Sequence, residues 1–177
     1  MQVIAVVGTK KSGKTTTTEK LITELTKRGY KVAAIKHIPE PSFTIDTPGK
    51  DTWRYAQAGA KTVISVATNE TATIEKTTTS TPSLETLLKK CAGNDIVFIE
   101  GLKKIVAQNK KIPKIAVVKS KTEAENALKT YKPIIAFSGP YNTQSVHPKI
   151  PYANALTNPK ELSDIVENSL KKQAMQG

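Results

Sequence analysis

Residues 2–15, QVIAVVGTKKSGKT, pass from a short apolar run through a loop bracketed by two glycines into a lysine and a hydroxyl. Few folds accept that order. Gly8-Thr9-Lys10-Lys11-Ser12-Gly13-Lys14-Thr15 fits G-x-x-x-x-G-K-[ST] at every specified position. A loop that wraps a polyphosphate must turn its backbone N–H groups inward, in conformations that glycine tolerates best. The helix that follows then presents its positive N-terminus to the same phosphates. Residues Gly8 to Thr16, with Thr9, Lys10, Lys11 and Ser12 in the loop itself, are therefore the candidate nucleotide-binding set. Lys14 is placed to neutralise the β- and γ-phosphates, and the Thr15 hydroxyl to bind Mg²⁺. The composition would produce roughly 0.01 such matches by accident, and a strand before the loop with a helix after it is the context the motif requires.

The rest of the chain alternates in the same way. The run 2–7 reads as a buried strand, and 13–28 as a helix with Leu21, Ile22 and Leu25 on one face and Gly29 as its stop. Residues 31–36 are a second strand, which predicts a parallel pair with a right-handed crossover. A Pro-rich loop at 38–50 leads to a helix over 51–60. Residues 62–67 and 71–77 alternate around Asn69 and predict an added β-hairpin. A helix follows, with Thr81 as N-cap and Pro82 at its first position, ending before Gly93. Strands are predicted at 95–101, 114–118 and 134–137, with a basic loop at 103–113. A helix opens on a Thr122/Glu125 capping box, and Asn158, Pro159 and Glu161 open a final one. The expectation is one domain, 1–177: a three-layer α/β phosphate-loop NTPase fold with a mostly parallel sheet.

Acids that could hold a metal are few, since Asp46, Asp51, Asp95 and Asp164 are the only aspartates. Glu100 closes an apolar strand, DIVFIEG, beside the phosphate loop, where a carboxylate can bind Mg²⁺ directly or through water. Asp46 lies beyond the second strand, near the strand ends at which ligands bind in open α/β sheets. Asp46 and Glu100 are the candidate catalytic acids, and with Thr15 they form the candidate metal set. Asp51 is either a helix N-cap or part of the same loop, Asp95 reads as structural, and Cys91 reads as core. His37 follows Lys36 at the end of the second strand.

Composition narrows the partners. The formal charge is +12, yet all but two of the 27 cations are lysines, Arg28 and Arg54 being the exceptions. Lysine is a hydrated point charge without arginine's bidentate fork, so the surface suits phosphates or acidic partners better than specific nucleic-acid readout. There is no run of about 18 apolar residues for a membrane span. The single cysteine and the lack of a charged leader fit a cytoplasmic protein.

Taken in order, GTKKSGKTT, IKH, IDTPGKDTWRYAQAGA and DIVFIEGLK resemble the molybdopterin-guanine dinucleotide biosynthesis protein B (MobB) family across residues 3–118. The stretch 44–60 is the specific part. The resemblance implies a GTP- and Mg²⁺-binding homodimer that assists the molybdenum cofactor guanylyltransferase, with molybdopterin a further candidate ligand. Its signature loop falls on His37, Asp46, Gly49, Lys50, Asp51 and Arg54, and its third-strand acid on Glu100-Gly101. A lysine in the position of Lys10 can act across a dimer in related loops. The chain reads IPEPSF where family members carry further histidines, and nothing beyond residue 120 matches a motif.

The implied function is an adaptor in molybdenum cofactor maturation, as an enzyme at most a slow Mg²⁺-dependent GTPase. The alternative is a small-molecule kinase or ligase resembling dethiobiotin synthetase, which shares the phosphate loop and the Glu-Gly pair. A metal-inserting GTPase would need Cys/His clusters, and two histidines and one cysteine do not supply them.

Overall fold

The computed structural model describes residues 1–77 and 82–174, with the side chains of 172–174 left aside. The chain divides into two compact units, one of residues 1–37 and 84–177 and one of residues 38–83.

The first unit carries a five-stranded parallel sheet in the order β2-β5-β1-β6-β7, with β1 Gln2–Gly8, β2 Val32–Lys36, β5 Ile96–Glu100, β6 Lys114–Val117 and β7 Ile134–Ser138. The predicted pairing of the first two strands is corrected here. They run parallel, but β5 lies between them. All five residues of β5 are buried, so it is apolar on both faces and takes an inner place, whereas β2 keeps two of its five exposed and goes to the edge.

Alternation along the strands feeds two cores. Ile4, Val6, Ile96, Phe98, Ile115 and Val117 face α1 (Lys14–Lys27) and α6 (Pro159–Ala174), meeting Leu21, Leu25, Leu162 and Val166. Ala5, Val7, Val97, Ile99, Ala116 and Phe137 face the other side, where Cys91 belongs to the core as predicted. That side also takes residues from α3 (Leu84–Lys89), α4 (Lys103–Val106) and α5 (Lys121–Thr130).

Past α1, Tyr30 N–H donates to the Leu25 carbonyl and Gly29 N–H to that of Thr26, the Schellman closure expected of a C-terminal glycine. Asn158 caps α6 by accepting from Glu161 N–H. Arg28, at the end of α1, is held by Glu24, Asp164 and Glu167, and Asp95 accepts from Lys31 N–H.

Three local readings change. α5 is capped by Ser120, whose hydroxyl accepts from Glu123 N–H, so the Thr122/Glu125 box moves two residues earlier. Helix α3 begins at Leu84, which leaves Pro82 outside it, and Thr81 lies outside the described residues. The loop at 103–113 opens with the single turn of α4 because Val106 and Ile112 bury against the sheet.

The second unit holds α2 (Asp51–Gln57) and an antiparallel hairpin of β3 (Thr62–Val66) and β4 (Thr71–Glu75), in register Val63↔Ile74. The added hairpin is thus present. Lys50 is the N-cap of α2 and Asp51 its first residue, where the negative charge complements the helix dipole. Among the described residues, no helix is long and apolar enough to cross a membrane.

Lys114, at the start of β6, is wholly buried and donates to the Asn109 and Lys132 carbonyls, each at 2.6 Å. Burial pushes its amine from 10.5 down to about 8. The unfolded chain then binds more protons than the folded one between those values, so this group's contribution to stability increases as pH rises through that window. Comparing urea unfolding of the wild type with Lys114→Met should reveal it. From about pH 8 to about pH 10 the wild type should gain on the order of 2 kcal/mol relative to the variant. A constant difference would refute the assignment.

Candidate functional site

The sequence GTKKSGKT can form its loop because the chain dives under its own neighbour at Gly8. A Cβ there would collide with the Val117 carbonyl of β6 and with Ser12 Oγ. Lys11, at φ 58°, and Gly13, at φ 97°, both take left-handed conformations that curl the backbone inward before α1 starts. Gly13 is the N-cap of α1, with no side chain closing the helix end. The first N–H groups of α1 therefore open toward the loop.

Two cationic groups and one acid meet over this helix start. Lys14 Nζ bridges the loop by donating to the Thr9 carbonyl at 2.6 Å. Burial pushes its amine down, Glu100 pulls it back up, and Lys36 and Lys119 push it further down. Glu100 is 8% exposed, and Thr15 Oγ1 lies 3.1 Å from each of its carboxylate oxygens. Lys36 Nζ donates to Glu100 Oε1 and also to Thr15 Oγ1, the latter at 3.1 Å. The register explains why they meet: Glu100 pairs across to Val6 on one side and to Lys36 on the other. Gly101 permits the close pass of the following turn, since a Cβ there would sit 2.8 Å from His37 Cβ.

Thr15, Lys14 and Glu100 are thus brought together as the sequence implied. His37 contributes through its backbone, donating its N–H to the Glu100 carbonyl at 2.9 Å. Lys36 is the residue the sequence reading passed over. Its signal was available, as a lysine closing β2 at the same edge as the phosphate loop. A second unread contact comes from Glu123, which accepts from Thr9 Oγ1 at 2.9 Å and from Lys119 N–H at 2.9 Å. Lys119 Nζ in turn donates to the Lys10 carbonyl, so the loop's outer rim is tied to β6 and α5.

The signature residues Asp46, Gly49, Lys50, Asp51 and Arg54 belong to the second unit. Asp46 Oδ1 accepts from Thr47 N–H and Thr52 Oγ1, at 2.9 and 2.8 Å. Its Oδ2 is buried with no hydrogen-bond partner, an unusual state for a carboxylate. Asp51 and Arg54 form an exposed pair at 3.5 Å.

A hydroxyl and a carboxylate oxygen set against an open helix N-terminus suit a hard divalent cation that takes its remaining ligands from phosphate and water. No group of three or more His, Cys, Asp or Glu capable of holding a metal occurs among the described residues.

The chain is similar to known proteins. A family model described as molybdopterin guanine dinucleotide synthesis protein B matches residues 3–139. A molybdopterin-guanine dinucleotide biosynthesis adapter protein of Haemophilus influenzae is 38% identical over 114 residues, 63% of this chain and 60% of that protein. A Methanocaldococcus jannaschii protein of similar description is 37% identical over 123 residues, 68% of this chain and 49% of its own. The chain therefore spans about half to three-fifths of these relatives' lengths. The Bacillus subtilis MobB crystal structure superposes with a TM-score of 0.74 at 23% identity, covering 95% of this chain and 97% of that one. A homologue from Bacillus stearothermophilus gives 0.67 at 21%, covering 97% and 99%. These likenesses show a shared fold.

If the loop grips phosphate through Lys14, Lys14→Ala should lose at least about 100-fold in triphosphate affinity while its thermal unfolding stays near wild type. Thr15→Ala and Glu100→Gln should weaken binding in Mg²⁺ more than in EDTA. Equal losses in both buffers would exclude a metal role for either residue.

Proposed function

The chain belongs to the molybdopterin guanine dinucleotide synthesis protein B family, and on that premise we propose that it is a GTP-binding adaptor in molybdenum cofactor maturation. It would assist the guanylyltransferase that converts molybdopterin to its guanine dinucleotide. The observation that carries this reading is the convergence of Lys14, Thr15, Lys36 and Glu100 over the open start of α1. The names of the relatives supply the pathway.

On this reading Lys14 exchanges the Thr9 carbonyl for the β- and γ-phosphate oxygens, and the N–H groups of the loop and first turn hold the rest. Thr15 and Glu100 are the residues that would hold Mg²⁺, which lowers the charge density of the phosphates. Lys36 neutralises the Glu100 carboxylate until the cation arrives and is then free to turn to the terminal phosphate. Asp46, with one buried oxygen unpaired, is assigned to sensing the bound state from the signature loop. Molybdopterin is a candidate second ligand, and a homodimer would give Lys10 a role toward the opposing loop.

Slow hydrolysis follows from the cations at hand. An arginine aimed at the transferring phosphate accelerates hydrolysis by about 10³ to 10⁵. Arg28 is committed to Glu24, Asp164 and Glu167 at the far end of α1. The purified protein should therefore turn over GTP well below ~1 s⁻¹. Adding the guanylyltransferase or molybdopterin should change that rate. Faster turnover by the protein alone, lost in Lys14→Ala, would favour an autonomous enzyme. Asp46→Asn should bind GTP normally yet fail to stimulate guanylylation; wild-type stimulation by this variant would remove Asp46 from the mechanism.

A further inference from the structure

The outer rim of the phosphate loop is made of exposed residues, Thr9, Lys10 and Lys11, so core packing does not hold it. Behind Thr9, on the α5 side of the sheet, lies a cavity of about 160 Å³ that Thr9 lines together with Lys103, Glu123 and Tyr131. The rim also contains the left-handed bend at Lys11, φ 58°. A residue with a Cβ keeps that conformation only where its surroundings impose it. Lys11 makes no hydrogen bond of its own among the described residues, so its neighbours must hold the bend.

Two of those neighbours are tied to α5 and to the residues that lead into it. Thr9 Oγ1 donates to Glu123 Oε1 at 2.9 Å, and Lys119 Nζ donates to the Lys10 carbonyl at 3.3 Å. The two ties share a root, because Lys119 Nζ also lies 3.5 Å from Glu123 Oε1. Glu123 Oε2 meanwhile accepts from Lys119 N–H at 2.9 Å, and Ser120 Oγ accepts from Glu123 N–H. One carboxylate oxygen thus serves the start of α5, while the other reaches the loop. A capping role alone would need only the first. Burial pushes the Glu123 carboxyl up, but the Lys119 N–H, the Thr9 hydroxyl and the Lys119 ammonium outweigh it and hold it below its ordinary value. The residue is therefore an anion at neutral pH, and the bond from Thr9 is charge-assisted. The Lys119 ammonium offsets that charge, which limits its repulsion of a bound phosphate.

We infer that Glu123 is a positioning residue for the phosphate loop, bracing the rim through Thr9 in the bent form that binds a triphosphate. The inference rests on the phosphate-loop reading and adds to it a residue 114 positions away from Thr9 in the chain. The Thr9 carbonyl accepts from both Lys14 Nζ and Ser12 N–H, so fixing the Thr9 side chain also fixes the group from which Lys14 swings to phosphate. A loop already ordered has less freedom to lose on binding, which sets the sign: without the brace, affinity falls.

A double-mutant cycle in the full chain tests this, with inorganic tripolyphosphate and GTP titrated calorimetrically and thermal unfolding followed in parallel. Thr9→Val keeps the side-chain shape and removes the donor. It should bind both ligands about fivefold more weakly, with unfolding near wild type. Thr9→Ser keeps the hydroxyl and should recover most of that loss. Glu123→Ala should lose about as much affinity and also unfold earlier, because it strips the start of α5 as well. The double variant should bind no more weakly than Glu123→Ala alone, since both changes remove the same bond. Additive losses would mean that Thr9 and Glu123 act separately, and would overturn the inference. Earlier unfolding of Glu123→Ala at unchanged affinity would leave only a capping role and overturn it too. Tripolyphosphate and GTP that bind Lys14→Ala as tightly as the wild type would instead overturn the phosphate-loop reading, and this inference with it.

Discussion

A carboxylate held almost out of water must be matched by cations or donors, and Glu100 is the group around which the loop end of this sheet is arranged. Lys36 from one neighbouring strand and Thr15 from the helix after the other neighbour both reach it. The register Val6↔Glu100↔Lys36 makes that meeting a property of the backbone ladder. Moving β5 along by one residue would send Glu100 to the other face and break all three contacts at once. The site is therefore specified by the same hydrogen bonds that specify the sheet.

That arrangement gives the carboxyl edge of the sheet a direction. Charge is concentrated toward β2 and β5, where an ammonium, a hydroxyl and a carboxylate share one small volume. Toward β7 lies a pocket lined by Ser12, Gly13, Thr16, Thr17 and residues 138–140 and 154–156, whose exposed wall is largely apolar.

Much of this was legible in the chain because the relevant signals are local. The strand-loop-helix at 2–28, Gly29 as a stop and Asn158 as a cap each depend on neighbours a few residues away. Strand order is not local. Nothing in 31–36 announces that another strand will come between it and β1; only the evenly buried character of 96–100 hints at an inner position. Cap register is a near miss of another kind, because Ser120/Glu123 and Thr122/Glu125 carry the same spacing and the choice falls to Glu123's bonds with Thr9 and Lys119. Lys36 was hidden by abundance: in a lysine-rich chain its type carries little information, and its role appears only once Glu100 stands beside it. The pocket at 138–140 and 154–156 has no motif, being made where separate segments happen to converge.

The Arg28 cluster has a mechanical meaning as well. The guanidinium fastens the C-cap residue of α1, Arg28, to Asp164 and Glu167 on α6. Helix α1 rises roughly 21 Å over its 14 residues, so this clamp lies far from the phosphate loop. Yet α1 begins with one wall of the pocket, Thr16 and Thr17, and α6 follows directly on the other, 154–156. On α6 the same guanidinium also donates to the Lys160 carbonyl, so the clamp joins the end of α1 to the first half of α6. A displacement of residues 154–156 that carried α6 with it would therefore have to strain these ion pairs, at the opposite end of α1 from the phosphate loop.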